Sequence, residues 1–273
     1  MMNIARLYKK EFMKGRRSFA AVIVITLGIM LFLFTRIGRW DEGMPTLTAI
    51  MMIFGFCTAA FIKSFDYLKE EWRHNNQYLM LSLPIKGYDI IGAKLAYFMT
   101  EFSSHILLLG AYTVMMMLAE LRSPNTISNK VFRALSLSAW RAYGLCILPA
   151  LYILLGAGVV GLFAYTVTLT VKKFGFWVGT ASYIFPIWLL SNFSSRIMKI
   201  SPDWMHIEIP LSKALALSNI ENALNKSGGV INISGMLNGA YIGIDLASVA
   251  VWTVGLAGLF LLASWLIENK VEV

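Results

Sequence analysis

The sequence predicts an all-α membrane protein with six transmembrane helices. Of its 273 residues, 58% are hydrophobic and only 14% are charged, with a mean hydropathy of +0.65. Soluble domains are about 45–50% apolar and about 25% charged, so composition alone excludes an ordinary soluble domain. Five windows without any charged residue are each long enough to cross a bilayer. A sixth long apolar window is interrupted by two charged residues.

The predicted spans form a single transmembrane domain that covers residues 1–273. In chain order they are residues 18–35, 43–62, 90–119, 142–171, 174–195 and 246–267. The third span is the interrupted one, because it contains Lys94 and Glu101. Backbone polar groups find no water in hydrocarbon, so apolar segments of this length must cross it as helices.

The N-terminal segment, residues 1–17, is predicted to be an interfacial amphipathic helix. One face carries Ile4, Leu7, Tyr8 and Phe12, whereas most basic residues point elsewhere. This pattern is typical of helices that lie on an anionic leaflet. An irregular basic leader is the alternative. A signal peptide is disfavoured because the following apolar run is too long and no small-residue cleavage motif follows it.

Basic residues predict the orientation of the chain. Lys and Arg are about twofold denser in the segments that would share the side of the N-terminus than in the opposite segments. Both termini are therefore expected to be cytoplasmic. The formal net charge of +9 is explained by this orientation, and no nucleic-acid partner is expected.

Residues 63–89 form a polar cytoplasmic segment between the second and third spans. Phe65, Leu68 and Trp72 are spaced by three and four residues, which predicts a helix with one apolar face. Pro84 and Gly87 then interrupt the chain before the third span. A half-apolar, half-charged helix at a membrane face favours docking against another protein, and a solvated loop is the alternative.

The longest outer segment, residues 196–244, is expected to be extracellular and to contain short helices. One is predicted to begin at Ser212 and to end near Gly228. The segment either folds back into the membrane or lies on its surface, and both alternatives stay open.

Two features of the spans predict how the helices pack and where charge is buried. Ala157 and Gly161 form a small-xxx-small pair, which allows close helix approach.

Glu101 and His105 share one face of the third span, and Glu101 lies about a dozen residues into it. Ionisable residues near the bilayer midplane usually face a partner or a water-filled cavity. With Asp245 at the outer start of the sixth span, they are candidates for a translocation path; mutual pairing of Glu101 and His105 is the alternative.

No motif in the chain predicts catalysis or a cofactor. A phosphate-binding loop of the G-x-x-x-x-G-K-[ST] type does not occur. Glu71 and His74 have the spacing of two metal ligands but no third candidate, so no metal site is expected. Cys57 and Cys146 lie within spans and are interpreted as packing residues. The chain is therefore expected not to be an enzyme.

Taken together, these features resemble the ABC-2 type permease family, the membrane subunits of ATP-driven exporters. The resemblance covers nearly the whole chain and depends on the basic leader, the six spans, the polar segment after the second span and the long outer segment. The stretch LSLPIKGYDIIGAKL is similar to the leucine–proline segment and lysine-bearing helix start found in many such permeases.

The resemblance implies partners that this chain does not contain. Residues 1–17 would be the connecting helix, and residues 64–77 would be the coupling helix that meets a dimeric cytoplasmic ABC ATPase. The residues expected to make that contact are Phe65, Leu68, Glu70, Glu71, Trp72 and Arg73. ATP and Mg²⁺ would be bound by the ATPase, and a second copy or a related permease would complete the pore.

The resemblance also implies a place and a substrate class. Small permeases without a fused nucleotide-binding domain are similar to peptide, toxin and antibiotic exporters of the Gram-positive bacterial cell membrane. The expected substrate is an amphipathic or hydrophobic molecule, with an antimicrobial or toxin-like peptide as the best candidate.

The alternative function is an ion-coupled secondary transporter built from two inverted repeats of three spans. Glu101 in the third span and Asp245 at the sixth would then correspond. The two halves show no internal sequence similarity, and Asp245 lies at the outer edge rather than in mid-span. A membrane enzyme, the third class, lacks a catalytic set of residues.

Overall fold

Six long helices account for most of the fold. The structure, a computed structural model, describes residues 4–41, 44–73, 86–122, 129–171, 175–210, 215 and 241–269, with only the backbone described at 65–73, 129–131 and 175–176. The helices of this part of the chain are α1 (Ile4–Phe34), α2 (Met44–Arg73), α3 (Gly87–Arg122), α4 (Asn129–Thr170), α5 (Gly175–Met198) and α6 (Leu246–Asn269). The predicted outer helix from Ser212 lies outside the described residues, except for residue 215.

Five of these helices are long and apolar enough to cross a membrane. They are α1, α2 over Met44–Ser64, α3, α4 over Phe132–Thr170, and α6. Trp, Tyr, Pro, Ser and Asn residues make α5 less apolar, and it falls outside this set. The prediction of a helical, membrane-embedded chain is thus confirmed in this coarser form, whereas the six-span layout stays a prediction.

The helices run past the predicted span boundaries. α1 has 31 residues and a length of about 46 Å, so residues 4–17 continue into the first span without a break. The segment expected as a separate interfacial helix is instead the first half of α1, and its Leu7 and Glu11 are buried. Residues 4–17 are rich in strong helix formers, which favours this continuity.

The third helix lies at the centre of the fold. α3 packs against α1, α2, α4 and α6, while α1 and α2 make few contacts with each other. One buried cluster joins α3 and α4 to α6 through Ile91, Leu162 and Ala263. Another joins α3 to α2 and α4 through Phe98, Ala60 and Leu154. α3 is therefore the helix that connects the other parts of the bundle.

A two-stranded antiparallel ribbon lies between α5 and α6, a feature that the all-α prediction missed. A single 3₁₀ turn (Asp203–Met205) leads into β1 (His206–Pro210), which pairs with β2 (Tyr241–Asp245) so that His206 lies opposite Asp245. The sequences HIEIP and YIGID place isoleucine at every second position, which is the periodicity of a strand. The ribbon brings the end of α5 close to the beginning of α6.

Candidate functional site: a polar stripe on α3

Polar side chains follow one side of α3 along most of its length. We call this set the α3 stripe; it consists of Lys94, Tyr97, Glu101, His105, Tyr112 and Glu120. The first five recur at intervals of three, four or seven residues, and therefore share one helical face. α1 runs parallel to the stripe and α2 runs antiparallel to it, so that both helices supply its partners.

An ion pair buried between α1 and α3 begins the stripe. Lys94 Nζ lies 3.4 Å from Glu11 Oε1, and the side chains are 1% and 10% exposed. Close by, the hydroxyl of Tyr8 donates to Thr100 Oγ1 across 3.1 Å. A lysine and a carboxylate that are buried this deeply must be paired, because either charge alone would be costly in a low-dielectric interior. Lys94 therefore fixes the first half of α1 against α3.

A second ion pair joins α2 to α3. Lys63 Nζ lies 2.8 Å from Glu101 Oε1, with the Glu101 side chain 5% exposed and the Lys63 side chain 43% exposed. The same ammonium group lies 5.9 Å from the centre of the Phe102 ring. The carboxylate is thus enclosed by protein, while its cation reaches the surface of the bundle.

Contacts with α1 define the depth of Glu101. The Tyr97 hydroxyl lies against Gly15, where a side chain larger than hydrogen would not fit. One turn beyond Glu101, the His105 ring meets Phe19 edge-on with ring centroids 5.3 Å apart. Since Glu101 lies midway between Tyr97 and His105, it lies beside residues 16–18 of α1.

The position of Glu101 can be compared with the ends of the first two predicted spans, and its depth in a bilayer stays a prediction. The first predicted span begins at residue 18 and the second ends at residue 62, next to Lys63. Both helices therefore place the Glu101–Lys63 pair at the predicted membrane boundary. The first part of α3, which sequence alone assigns to the third span, precedes that boundary, and Lys94 precedes it too.

His105 is held between two aromatic rings from neighbouring helices. Its ring stacks on Phe56 of α2, with centroids 5.2 Å apart and an interplanar angle of 20°, and meets Phe19 edge-on. Nδ1 donates to the backbone carbonyl of Glu101 at 2.5 Å, and the buried Nε2 finds no hydrogen-bond partner within the described part of the chain. His105 therefore contacts the backbone of Glu101 rather than serving as a partner for the carboxylate that faces Lys63.

The far end of the stripe fastens α3 to the start of α2 and the end of α1. Tyr112 donates to the carbonyl of Met30. Glu120 accepts from the backbone N–H of Thr46 at 3.3 Å and from its hydroxyl at 2.7 Å. A carboxylate next to the first turn of α2 also interacts favourably with the helix dipole. The stripe thus ties α1, α2 and α3 together at both ends.

Asp245, the third predicted path residue, lies apart from Glu101 and His105. Its carboxylate accepts from the backbone N–H groups of Ala247 and Ser248 at 3.1 and 3.2 Å, and from the Ser248 hydroxyl, and so forms the N-cap of α6. The Ser248 hydroxyl, the two N–H groups and nearby His206 hold the pKa of Asp245 below its ordinary value. The structure thus assigns Asp245 a capping role.

His206 links this cap to the end of α5. Its Nδ1 lies 3.7 Å from Asp245 Oδ1, and its Nε2 lies 3.0 Å from the hydroxyl oxygen of Ser201. The order of a serine, a histidine and an acid is that of a hydrolytic triad, in which the acid hydrogen-bonds the histidine. Here the acid is too distant for a hydrogen bond and already caps α6. Pro202, which follows the serine, has no N–H to stabilise an oxyanion. The contacts therefore form a link between α5 and α6.

Most of the carboxylates discussed above stabilise the fold, either in ion pairs or as hydrogen-bond acceptors at helix starts. Besides Glu11 and Glu101 in ion pairs and Asp245 and Glu120 at helix starts, Glu268 Oε1 accepts from the backbone N–H of Gly87 at 2.5 Å. Within the described ranges, no group of three His, Cys, Asp or Glu side chains is arranged to hold a metal ion. The candidate site is thus a set of buried polar contacts between helices.

An apolar cavity of about 320 Å³ lies among α2, α4, α5 and α6, and none of its lining residues comes from α3. Its lining residues are apolar or aromatic and include Phe61, Tyr152, Val160, Ile187, Trp252 and Leu256. The hydroxyl of Tyr152 bonds to the carbonyl of Val249 and to Thr253. The cavity therefore offers an apolar surface with few polar groups.

The coupling residues can be placed only through their backbone. Phe65, Leu68, Glu70, Glu71, Trp72 and Arg73 lie on the last turns of α2, and their side chains lie outside the described residues. Residues 74–85, which follow in the predicted cytoplasmic segment 63–89, also lie outside the described residues. Sequence reasoning did not identify Lys63, Glu11 or Glu120 as partners. The available signal was a charge directly after an apolar run for Lys63 and Glu120, and a lone acidic residue in a basic segment for Glu11.

The chain matches no protein-family model, and no curated protein or solved structure is similar to it.

Proposed function

We propose that the chain is the membrane permease subunit of an ABC-2-type exporter in a bacterial cell membrane. A separate dimeric cytoplasmic ATPase would bind ATP and Mg²⁺, and this chain would provide the path for the substrate. The observation that carries the proposal is the continuity of α2, which runs from Met44 through the second span to Arg73 as one helix. The first turns of the predicted coupling segment are thus a rigid extension of a span.

Buried contacts would transmit movement from that extension to the rest of the bundle. Lys63 pairs with Glu101 of α3 where the span meets the extension. Ser64, the next residue of α2, lies against Gly161 of α4. The two helices can approach closely here because a larger side chain at position 161 would meet Ser64. A displacement of residues 64–73 would therefore act on α3 and α4 as well as on α2.

The proposed second subunit would complete the pore. α5 presents an apolar, aromatic surface to its surroundings: Trp177 is 72% exposed, and Phe185 and Trp188 are each 58% exposed. Phe185 and Trp188 stack with centroids 6.2 Å apart. We propose that this face of α5, together with the side of α1 that carries exposed Ile25 and Phe32, contacts a second copy or a related permease. Lipid is its alternative neighbour.

The proposed substrate is amphipathic or hydrophobic, with an antimicrobial or toxin-like peptide as the best candidate. The apolar cavity and the exposed aromatic face of α5 supply apolar surfaces that can contact varied substrates. They offer few hydrogen-bond partners. The pairing of the buried Glu101 carboxylate with Lys63 leaves this site without net charge, so Glu101→Gln is expected to weaken export of cationic and neutral peptides alike.

The ion-coupled transporter stays the second candidate because two ion pairs and a histidine line the α3 stripe. The packing of the two halves disfavours it. α1 and α2 barely meet, whereas α4 and α5 pack closely together. Inverted repeats would place these two helix pairs in equivalent positions.

Co-expression with a P-loop ATPase encoded beside this chain tests the proposal. We expect the two proteins to purify together from gently solubilised membranes. Replacing Trp72 with Ala and Glu71 with Lys should abolish the association while leaving the chain in the membrane. A matched variant, Arg133→Gln, changes an exposed charge on α4 and should leave the complex intact. Association that survives the double replacement would refute docking through this helix.

A further inference from the structure

The first half of α1 has two opposite faces of different chemistry. Leu7 and Glu11 are buried against α3, and Glu11 is neutralised by Lys94. The opposite face carries exposed cations at spacings of three, four and seven residues: Arg6, Lys9, Lys10, Arg16 and Arg17. We call this the cationic face. Among the described residues, none of its five members lies within ion-pair distance of a carboxylate.

The cationic face continues along the same helix as an exposed apolar face. At 100° per residue, Ala20, Val24, Leu27 and Leu31 extend the line of Arg6, Met13 and Arg17. Val24 is 66% exposed, Leu27 48% and Leu31 69%. The junction between the two chemistries falls after Arg17, where the first predicted span begins.

We propose that this face of α1 binds an anionic phospholipid. Its phosphate would lie at Arg16 and Arg17, and an acyl chain would lie along Val24, Leu27 and Leu31. Because cationic and apolar residues follow each other along one side of α1, the ligand must carry an anionic group joined to a long apolar chain. A free phosphate lacks the apolar chain, and an acidic protein surface does not present one. Arginine is suited to the site because its planar guanidinium binds phosphate through two parallel hydrogen bonds.

The geometry also predicts which cations matter. Arg16 and Arg17 lie at the predicted edge of the hydrocarbon, whereas Arg6 lies about 15 Å further along the helix. That distance exceeds the screening length of about 10 Å at 0.1 M salt. Each basic residue near an anionic membrane surface changes binding by about fivefold, which corresponds to about 1 kcal/mol. The effect should therefore be concentrated at Arg16 and Arg17.

The test measures lipid binding to the purified full-length chain in detergent by native mass spectrometry. Phosphatidylglycerol and phosphatidylcholine with identical acyl chains are titrated at 0.1 M salt. We expect phosphatidylglycerol to bind at least about tenfold more tightly, and Arg16→Gln with Arg17→Gln to reduce that affinity by about 25-fold. Arg6→Gln with Lys9→Gln removes the same charge from the same face and should change it by less than about threefold.

Two further variants separate the headgroup from the chain. Arg16→Lys with Arg17→Lys keeps the charge but not the two parallel hydrogen bonds, and should bind phosphatidylglycerol more tightly than the double glutamine variant but less tightly than the unaltered chain. This variant also guards against a folding defect. Leu27→Ala with Leu31→Ala should weaken both lipids equally. Equal binding of the two lipids by the unaltered chain would overturn the proposal. A larger loss from the Arg6 and Lys9 pair than from the Arg16 and Arg17 pair would also overturn it, and would indicate a soluble acidic partner.

Discussion

Lys94 of α3 and Glu11 of α1 form an ion pair inside the bundle, with 3.4 Å between Nζ and Oε1 and the lysine side chain only 1% exposed. The pair holds a helix rich in exposed cations against the central helix of the fold. It also explains why residues 4–17 pack against α3: the buried carboxylate of Glu11 is paired there with Lys94.

Removing one member of this pair should destabilise the protein strongly. Lys94→Met leaves the carboxylate of Glu11 buried and is expected to lower the free energy of unfolding by about 3–5 kcal/mol. Adding Glu11→Leu removes the uncompensated charge and should restore most of that loss. Thermal unfolding of the purified chain in a mild detergent, followed by tryptophan fluorescence, measures both, with exposed Lys10→Met as the control. Equal losses in the single and double variants would show that the charges do not interact.

His105 should tolerate an apolar replacement. Its Nε2 has no hydrogen-bond partner among the described residues, and its ring lies between Phe19 and Phe56. The carbonyl that Nδ1 contacts belongs to the helix backbone and does not depend on this side chain alone. His105→Phe is therefore expected to change the free energy of unfolding by no more than about 1 kcal/mol.

The same variant separates the two candidate functions. If the chain is an ATP-driven permease, His105→Phe should retain activity, because no step requires that ring to exchange protons. A folded His105→Phe protein whose transport loses its dependence on a proton gradient would instead favour the ion-coupled transporter. Transport assays in proteoliposomes, with and without a pH gradient, make the comparison.

Gly161 should be intolerant of a larger side chain. A Cβ at this position would meet the side chain of Ser64, whereas a Cβ at Gly144 of the same helix would meet nothing within 4 Å. Gly161→Val is expected to lower the free energy of unfolding by about 1–3 kcal/mol more than Gly144→Val, because only the former forces α2 and α4 apart. Urea or thermal unfolding of the two variants measures the difference. Similar losses in both would mean that helix propensity rather than helix contact sets the effect.

The cap at Asp245 should make stability depend on pH. Its pKa is lowered in the folded protein by the Ser248 hydroxyl, by the N–H groups of Ala247 and Ser248, and by His206. Its stabilising effect is therefore present above the ordinary aspartate pKa of about 3.9 and lost as pH falls through the lowered folded value.

Asp245→Asn tests this dependence. We expect a lower midpoint of thermal unfolding than that of the unaltered chain at pH 6, and a difference that shrinks as pH falls below about 4. Asp203→Asn, an exposed carboxylate in the same segment, should show no such pattern. A difference for Asp245→Asn that stays constant down to pH 3 would contradict a capping role for the charged carboxylate.

Hydropathy predicted the helical, membrane-embedded class because long uncharged runs admit no other structure in lipid. It did not predict where helices continue beyond those runs. Residues 4–17 and 64–73 are polar enough to resemble connecting segments, yet buried contacts such as Glu11 with Lys94 hold the first of them on a neighbouring helix. The ribbon between α5 and α6 was missed because each strand has only five residues and its pairing joins segments 30 or more residues apart.

The sequence predicted which residues belong to the candidate site, but not which residues of neighbouring helices they contact. Glu101 and His105 were identified from their placement on one face, whereas Lys63 was counted only as part of a cytoplasmic segment. Helix periodicity describes one helix at a time, and it carries no information on which neighbour lies opposite. The position of Glu101 beside α1 likewise follows only from contacts between α3 and α1, which the hydropathy of a single helix does not show.

The most direct test of the permease proposal is ATP hydrolysis by the chain purified together with its co-expressed P-loop ATPase and reconstituted into lipid. The proposal predicts hydrolysis that is vanadate-sensitive and stimulated by an amphipathic peptide. This stimulation should be lost when the ATPase is instead mixed with separately purified and reconstituted chain that carries Trp72→Ala and Glu71→Lys. Hydrolysis that is indifferent to the presence of this chain and to the double replacement would contradict the central claim that α2 couples an ATPase to the membrane.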